Sequence, residues 1–321
     1  RSHKEENELK EKIEEMERKD VHPRRERKKY MGEMIQMDAS EHEWIKGQVW
    51  TLHLAIDDAS GKVVGAYFDY EETLYGYYQT FKQILMNYGI PSLLYTDKRT
   101  VFEYKRKSRP LDDEDSFTQF SYACHNLGVE IKTTSVAQAK GRIERLNGTF
   151  QSRLPIELRR ANVTTIEQAN IFLQSYLEKY NEQFSLQLNT TRTVFVKQPT
   201  ERVINDTLAI RSVRTIDHGH TIHYHNKIYT PATRSGNRIY LQEGMKAIMV
   251  ETLDGRLMIN VFDEMFYAKE VNKHDISKDF DYEESKKFIP YSWSLPKKKS
   301  WRIDDFLGFL AKQKHRQDIS V

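Results

Sequence analysis

A single cysteine, Cys124, stands in 321 residues. That excludes an internal disulfide and fits a reducing compartment. His125 follows it, but a small core thiol on a helix is a plainer reading than a nucleophile. No apolar stretch approaches the ~20 residues that cross a bilayer. No signal-peptide pattern opens the sequence, so a soluble protein of the cytoplasm is expected. A dominant charge is missing too. Against 50 basic residues stand 47 acidic ones, a net charge of +3. The whole chain is no polycation, so affinity for nucleic acid has to come from local patches. No internal repeat is evident, and the length holds two modest domains.

What is present is three acidic residues in three distinct settings. Asp38 lies in the apolar run Met34-Ile35-Gln36-Met37-Asp38-Ala39-Ser40. Asp97 ends a second run, Pro91-Ser92-Leu93-Leu94-Tyr95-Thr96-Asp97. Glu144 sits in a polar, basic helix opening, Lys140-Gly141-Arg142-Ile143-Glu144-Arg145-Leu146-Asn147. A carboxylate at the end of a buried strand is costly unless something cationic neutralises it. Three of them converging beside basic residues form a hard-oxygen cage for Mg²⁺ next to a phosphate backbone. The reaction class this implies is metal-assisted attack on a phosphodiester.

In this order and in these settings, the three acids resemble the retroviral-integrase-type catalytic core of bacterial DDE transposases. Within these the sequence is most similar to the ISNCY group of insertion sequences. The likeness runs from about Arg24 to Pro199, with a further stretch near His223 to Pro231. The resemblance implies that Asp38, Asp97 and Glu144 are catalytic and hold Mg²⁺, with Mn²⁺ able to substitute. Asp38 would bridge two ions, and Asp97 and Glu144 would each bind one. It further implies cleavage of DNA ends by water, then transfer of the freed 3′-hydroxyl to target DNA. Double-stranded DNA, at transposon ends and targets, is the implied partner, and a homodimer or higher oligomer the implied assembly, nucleoid-associated in a bacterium. Two other readings stay open. One is a ribonuclease-H-like nuclease without strand transfer; the other is a catalytically silent, transposase-derived DNA-binding protein.

Along the chain, residues 1–30 read as a charged helix (Glu5 to Lys19) and a basic linker, Arg24-Arg25-Glu26-Arg27-Lys28-Lys29. The linker is either a solvated run or a phosphate clamp. The sequence also resembles a piece that lacks the helix-turn-helix region family members carry upstream. Residues 31–199 read as the catalytic core. Gln48–Ile56 and Val63–Tyr70 flank a turn, and with the Asp38 strand they make an antiparallel meander. Leu74–Tyr88 has helical spacing closed by Gly89-Ile90-Pro91. Leu93–Thr96 and Val129–Thr133 are short strands that follow helices, as parallel crossovers require. The expected fold is therefore α/β, a ribonuclease-H-like mixed five-stranded sheet flanked by helices. Residues 99–115 read as a charged surface loop, an insertion relative to typical retroviral integrases. Helices follow to Arg160 and from Thr165 to Gln183, the second opening on a capping-box pattern.

Residues 200–290 read as a small β-barrel-like domain. Its expected runs are Thr221–Tyr229, Arg238–Gln242, Lys246–Leu253 and Leu257–Phe262, with Asp254-Gly255 as a hairpin signal. Residues 291–321 form a tail with Lys297-Lys298-Lys299 and a helical stretch from Trp301 to Leu310. Asp57 and Asp58 are read as turn residues. His218, His220, His223 and His225 suggest zinc at first, but without cysteine they read as solvated or DNA-facing. DNA contacts are expected from Arg24, Arg25, Arg27, Lys28, Lys29, Lys140, Arg142, Arg145 and Asn147.

Overall fold

The computed structural model describes residues 26–97, 113–134, 141–262 and 264–272; of residues 97, 113–118 and 134 it describes the backbone alone. The expected N-terminal helix, most of the expected loop 99–115, Lys140 and the expected C-terminal tail thus lie outside the described residues.

Two sheets organise the chain. The first takes β1 (Ile35–Ile45), β2 (Gln48–Asp57), β3 (Val63–Asp69), β4 (Leu93–Asp97) and β5 (Glu130–Thr134), in the order β3-β2-β1-β4-β5. β1 pairs antiparallel with β2 and β2 with β3, whereas β4 runs parallel to β1 and β5 parallel to β4. Each parallel step is bridged by a helix, α1 (Leu74–Asn87) before β4 and α2 (Asp113–Leu127) before β5. Then follow α3 (Gly141–Arg160) and α4 (Ile166–Phe184). A three-stranded meander continued by helix-linked parallel strands is the ribonuclease-H-like topology. The expected loop 99–115 ends early, because α2 already begins at Asp113.

Side chains alternate across β1, and the alternation decides what each face does. Ile35 and Met37 join Ala55, Val64 and Leu94 in one apolar layer, closed by Tyr77, Tyr78, Phe81, Ile84 and Leu85 of α1 and by Phe120, Ala123 and Cys124 of α2. On the opposite face Trp44, Trp50, Leu52, Leu54 and Phe68 meet Ile143, Leu146, Phe150, Leu154 and Leu158 of α3, with Ala169 and Leu173 of α4. Gln36 and Asp38 project to this second face, at its polar end. Cys124 is fully buried, and burial pushes its thiol pKa up, so it is an inert core group.

From Ser185 the chain returns across the core as an extended strap. Leu186 N–H donates to the Ser60 carbonyl (2.8 Å), and Ile90 and Val196 exchange backbone hydrogen bonds (3.0 and 2.9 Å). Glycine is needed under the strap at Gly89: φ is 111°, and a Cβ there would lie 2.2 Å from the Val196 carbonyl oxygen.

A short helix, α5 (Glu201–Thr207), leads into the second sheet of β6 (Ile210–Thr215), β7 (Ile222–Tyr224), β8 (Lys227–Ala232), β9 (Lys246–Glu251), β10 (Leu257–Val261) and β11 (Glu264–Val271). Their order is β6-β9-β10-β11-β8-β7 and every pairing is antiparallel. The end strands β6 and β7 approach one another, which makes the sheet nearly a closed barrel. Two expectations are corrected here. Thr221–Tyr229 is not one strand but a hairpin, turned at His225 and Asn226 with φ of 47° and 61°. Such a turn needs positive φ twice, and only Asn announces it in the sequence. Arg238–Gln242 forms no strand, only a bridge from Arg238 to Ala232. The barrel sits on α2: Tyr122 packs with Ile248, Val250 and Met258, and Gln119 accepts from the Arg211 N–H at 2.7 Å.

Candidate active site

The first two acids lie on neighbouring strands. Ile35 pairs with Leu94 and Gln36 with Tyr95 in the parallel β1–β4 ladder. Asp38 stands two residues beyond Gln36 on β1 and Asp97 two residues beyond Tyr95 on β4, so the two acids follow the paired stretch on neighbouring parallel strands. The third acid comes by a different route. α3 packs across β1, and the Asn147 side chain donates from Nδ2 to Asp38 Oδ2 at 3.0 Å. Glu144 lies three residues before Asn147, on the same stretch of helix surface, where such pairs stand about 5–6 Å apart at Cβ. It is exposed, in the first turn of α3. Asp38 is half-buried. Asp38 thus lies within β1, Asp97 at the end of its parallel neighbour β4, and Glu144 in the first turn of a helix bonded to β1.

The same face of β1 carries unmet acceptors. Gln36 Oε1, Ser40 Oγ and Asn147 Oδ1 are buried and lack a hydrogen-bond partner. Orphaned buried oxygens are rare and call for a physical reason. Asn147 Oδ1 belongs to the amide that is bonded to Asp38, and it is a hard oxygen of the kind divalent cations take. Among the described residues no group of three His, Cys, Asp or Glu forms a complete metal cluster; the Asp97 side chain is outside that description.

Asp58, expected only as a turn residue, is bonded to three other segments near the site. It is completely buried. Its Oδ1 accepts from Gln36 Nε2 at 2.8 Å and from Arg142 Nη1 at 2.6 Å, and its Oδ2 accepts from the Lys28 N–H at 2.8 Å. Asp57 beside it closes the turn, accepting from Gly32 N–H, Ser60 N–H and the Ser60 hydroxyl at 2.9, 2.8 and 2.7 Å. Burial raises the Asp57 pKa, and these hydrogen bonds oppose the rise. Nothing in the sequence joins Asp58 to Arg142, which stand 84 residues apart, so no sequence signal marked the pair.

Of the residues expected to meet DNA, several turn inward. Arg142 is bonded to Asp58 and only 14% exposed at its side chain. Asn147 is buried against Asp38. Arg27 donates to the Asp58 carbonyl at 2.9 Å, although the residue remains exposed. Lys28 and Lys29 are exposed, Lys29 lying over the Tyr30 ring at 5.3 Å. Arg145 is exposed on α3, its Nε donating to the Gly141 carbonyl at 2.6 Å. Arg24, Arg25 and Lys140 lie outside the described residues. The four histidines spread over separate partners: His218 to Glu243, His223 to Asp217 and His225 to Glu251 at 2.7, 3.2 and 3.7 Å, and His220 to the Leu241 carbonyl at 2.7 Å. They do not converge on one point.

The topology defines a ribonuclease-H-like core followed by a barrel-like sheet. The chain is similar in sequence to two insertion-sequence or putative transposases. It is 46% identical over 303 residues to the transposase for insertion sequence IS1202 of Streptococcus pneumoniae, covering 92% of this chain and 63% of that protein. It is 36% identical over 171 residues to the putative transposase y4bF of Sinorhizobium fredii, covering 53% of this chain and 37% of that protein. The chain therefore spans under two thirds of the length of these relatives. No family model matches it. Among solved structures, it is similar to a chain of the simian T-cell lymphotropic virus intasome in complex with PP2A regulatory subunit B56 gamma (TM-score 0.40, 16% identity, 76% of this chain and 81% of that one). It is also similar to the HTLV-2 integrase catalytic core domain in complex with magnesium (TM-score 0.37, 20% identity, 50% of this chain and 94% of that one). No helix among the described residues is long and apolar enough to cross a membrane.

Proposed function

We propose that this chain carries the catalytic core of a DDE-type transposase, which cleaves DNA ends and joins the freed 3′-hydroxyl to target DNA. The observation that carries this reading is the Asn147–Asp38 hydrogen bond of 3.0 Å. It ties the helix bearing Glu144 to the strand bearing Asp38, and Asp97 ends β4, the parallel neighbour of that strand. Asp38, Asp97 and Glu144 would hold Mg²⁺, or Mn²⁺ in its place. When bound, such ions raise the nucleophilicity of the attacking oxygen and stabilise the departing one.

The protein's own part is positioning. A strand, its parallel neighbour and a packed helix hold three carboxylates more rigidly than loops could. Asn147 orients the Asp38 carboxylate through Oδ2 and constrains the side chain that lies between sheet and helix. The exposed cations Lys28, Lys29 and Arg145 lie on surfaces open to a phosphate backbone, the first two with Arg24, Arg25, Arg27 and Lys140 as further candidates. Double-stranded DNA is the proposed substrate. Because two ends are joined in one event, a dimer or higher assembly is proposed on the DNA.

The test is incubation of the complete protein with a labelled transposon end, target DNA and Mg²⁺. Cleaved ends and joined products are expected. Cleavage without joining would favour the nuclease reading, and DNA binding without either product the silent binding protein.

A further inference from the structure

Asp58 lies in no strand, holds no exposed surface and belongs to none of the three acids, yet it draws together the parts that carry them. Its Oδ1 takes Gln36, which stands two residues before Asp38 on the same face of β1. The same oxygen takes Arg142, which stands two residues before Glu144 in the first turn of α3. Oδ2 takes the backbone N–H of Lys28, and the Asp58 carbonyl takes Arg27, so the basic approach segment ends on the same residue.

A turn acid that only closed its own turn would need none of these partners, and Asp57 already performs that closure with Ser60 and Gly32. Nor is a buried ion pair a cheap way to stabilise a fold, because desolvation of both charges offsets most of their attraction. What such a pair does supply is a fixed geometry. α3 is anchored to the sheet on its buried side by Leu146, Phe150 and Leu154, which set its height above the sheet. An apolar face tolerates rotation and sliding of a helix end. Two polar bonds do not. Arg142–Asp58 at 2.6 Å and Asn147–Asp38 at 3.0 Å hold α3 on either side of Glu144. An arginine fork keeps its direction better than a lysine would.

We infer that Asp58 and Arg142 are positioning residues: through their buried bond they hold the opening turn of α3, and with it Glu144, at the distance from Asp38 that divalent-ion binding requires. The inference rests on the transposase reading of the three acids. Neither residue touches the reacting atoms, and the prediction is for metal affinity, not for fold or DNA affinity.

The experiment uses Mn²⁺ as the probe, titrated into the complete chain and followed by the electron paramagnetic resonance of the free ion. Wild type is compared with Arg142→Gln, with the double variant Asp58→Asn/Arg142→Gln, and with Asp38→Asn. Arg142→Gln strands a buried carboxylate and is expected to lower the melting temperature. The double variant removes that stranded charge and keeps the test open should the single variant fail to fold. Both are expected to bind Mn²⁺ about tenfold or more weakly, the scale seen when groups behind metal ligands are removed. The Mg²⁺ concentration for half-maximal cleavage should rise in parallel, while binding of a DNA end in chelator stays within about twofold. A folded double variant with wild-type Mn²⁺ affinity overturns the positioning role and leaves the three-acid site standing. Failure of wild type to bind Mn²⁺, or binding that Asp38→Asn leaves unchanged, defeats the three-acid reading itself and the positioning role with it.

Discussion

The two faces of β1 are built from alternate residues of one short stretch, and they answer to different demands. Ile35 and Met37 enter an apolar layer sealed by α1 and α2. Gln36 and Asp38, one residue away in each direction, enter a polar seam under α3 that contains a buried ion pair and several unmet oxygens. The first face obtains its energy from area removed from water, and its contacts are interchangeable within limits of volume. The second gains little net stability from its ionic and polar bonds, because each one replaces a bond to water. It gains direction instead. The period of two along a strand is what lets a site of this kind sit against a full-strength core.

The largest effect should come from breaking the polar face at its centre. Asp38→Asn keeps the volume and the acceptor for Asn147 but removes the charge that would hold divalent ions. Cleavage and joining are expected to fall to background, with DNA binding and melting temperature near wild type. Met37→Ala, one residue away on the apolar face, should reverse the pattern. Its side chain is 1% exposed, so its loss should cost about 2–5 kcal/mol of stability. The folded fraction should retain cleavage. Chemical denaturation and an end-cleavage assay on both proteins would separate the faces. Substantial activity in folded Asp38→Asn would remove the proposed site.

The apolar face holds one titratable group whose response to pH sharpens the contrast. His53 is fully buried against α1, and its Nε2 accepts from the Thr73 N–H at 3.3 Å while Nδ1 meets the Tyr67 carbonyl at 3.3 Å. Both ring nitrogens are satisfied in the neutral form with the proton on Nδ1, and the ring packs so closely on Gly76 that a Cβ there would lie 2.3 Å from it. Burial lowers the pKa from 6.5 to about 4. The folded state thus binds this proton less readily than the unfolded chain. The stability it contributes is complete above pH 6.5 and is lost as pH falls towards 4. At pH 5 the loss should be about 2 kcal/mol. Urea unfolding at pH 7 and pH 5 would measure it, and His53→Gln should lose that part of the pH dependence.

A smaller effect is expected where the two faces share no atoms. Asn147→Ala removes the bond to Asp38 from the helix side. Metal affinity and cleavage should fall about 10–100-fold, the range for groups that orient ligands, with DNA binding retained. Mn²⁺ binding and end cleavage would report it together. Equal losses in DNA binding would instead place Asn147 on the DNA surface.

These comparisons also show what could be read from residues alone. The strands of the core and both long helices after Glu144 were legible, because alternation and helical spacing survive wherever one face of an element is buried. The three acids stood out as candidates because each stands where an apolar run or a helix opening gives an acid no other reason to be. Three things were not legible. The hairpin at His225-Asn226 was hidden because only its second residue is a common positive-φ former. β6 and β11 were missed because Ile210–Thr215 and Glu264–Val271 mix charge with apolar residues without a clear period. The inward turn of Arg142 and Asn147 could not be read because an arginine beside an active acid looks the same whether it faces solvent or a buried partner. Only the fold, which brings Asp58 within 2.6 Å of Arg142 from 84 residues away, decides it.

That last point gives the smallest and most discriminating prediction, since α3 carries two arginines three residues apart with opposite placements. Arg145 is exposed on the helix, whereas Arg142 is inserted beneath it. If Arg145 meets a phosphate, Arg145→Gln should reduce the slope of log affinity for DNA against log salt by ~0.9, the value for one released counterion. Arg142→Gln in the Asp58→Asn background should leave that slope unchanged, because a cation already paired with a buried carboxylate displaces no counterion from DNA. Binding of a transposon end across a salt series from 50 to 300 mM, in chelator so that divalent ions make no difference, measures both slopes on one scale. A reduced slope in the double variant would mean that Arg142 leaves Asp58 when DNA arrives. An unchanged slope in Arg145→Gln would move the phosphate-binding surface away from α3 towards Lys28 and Lys29.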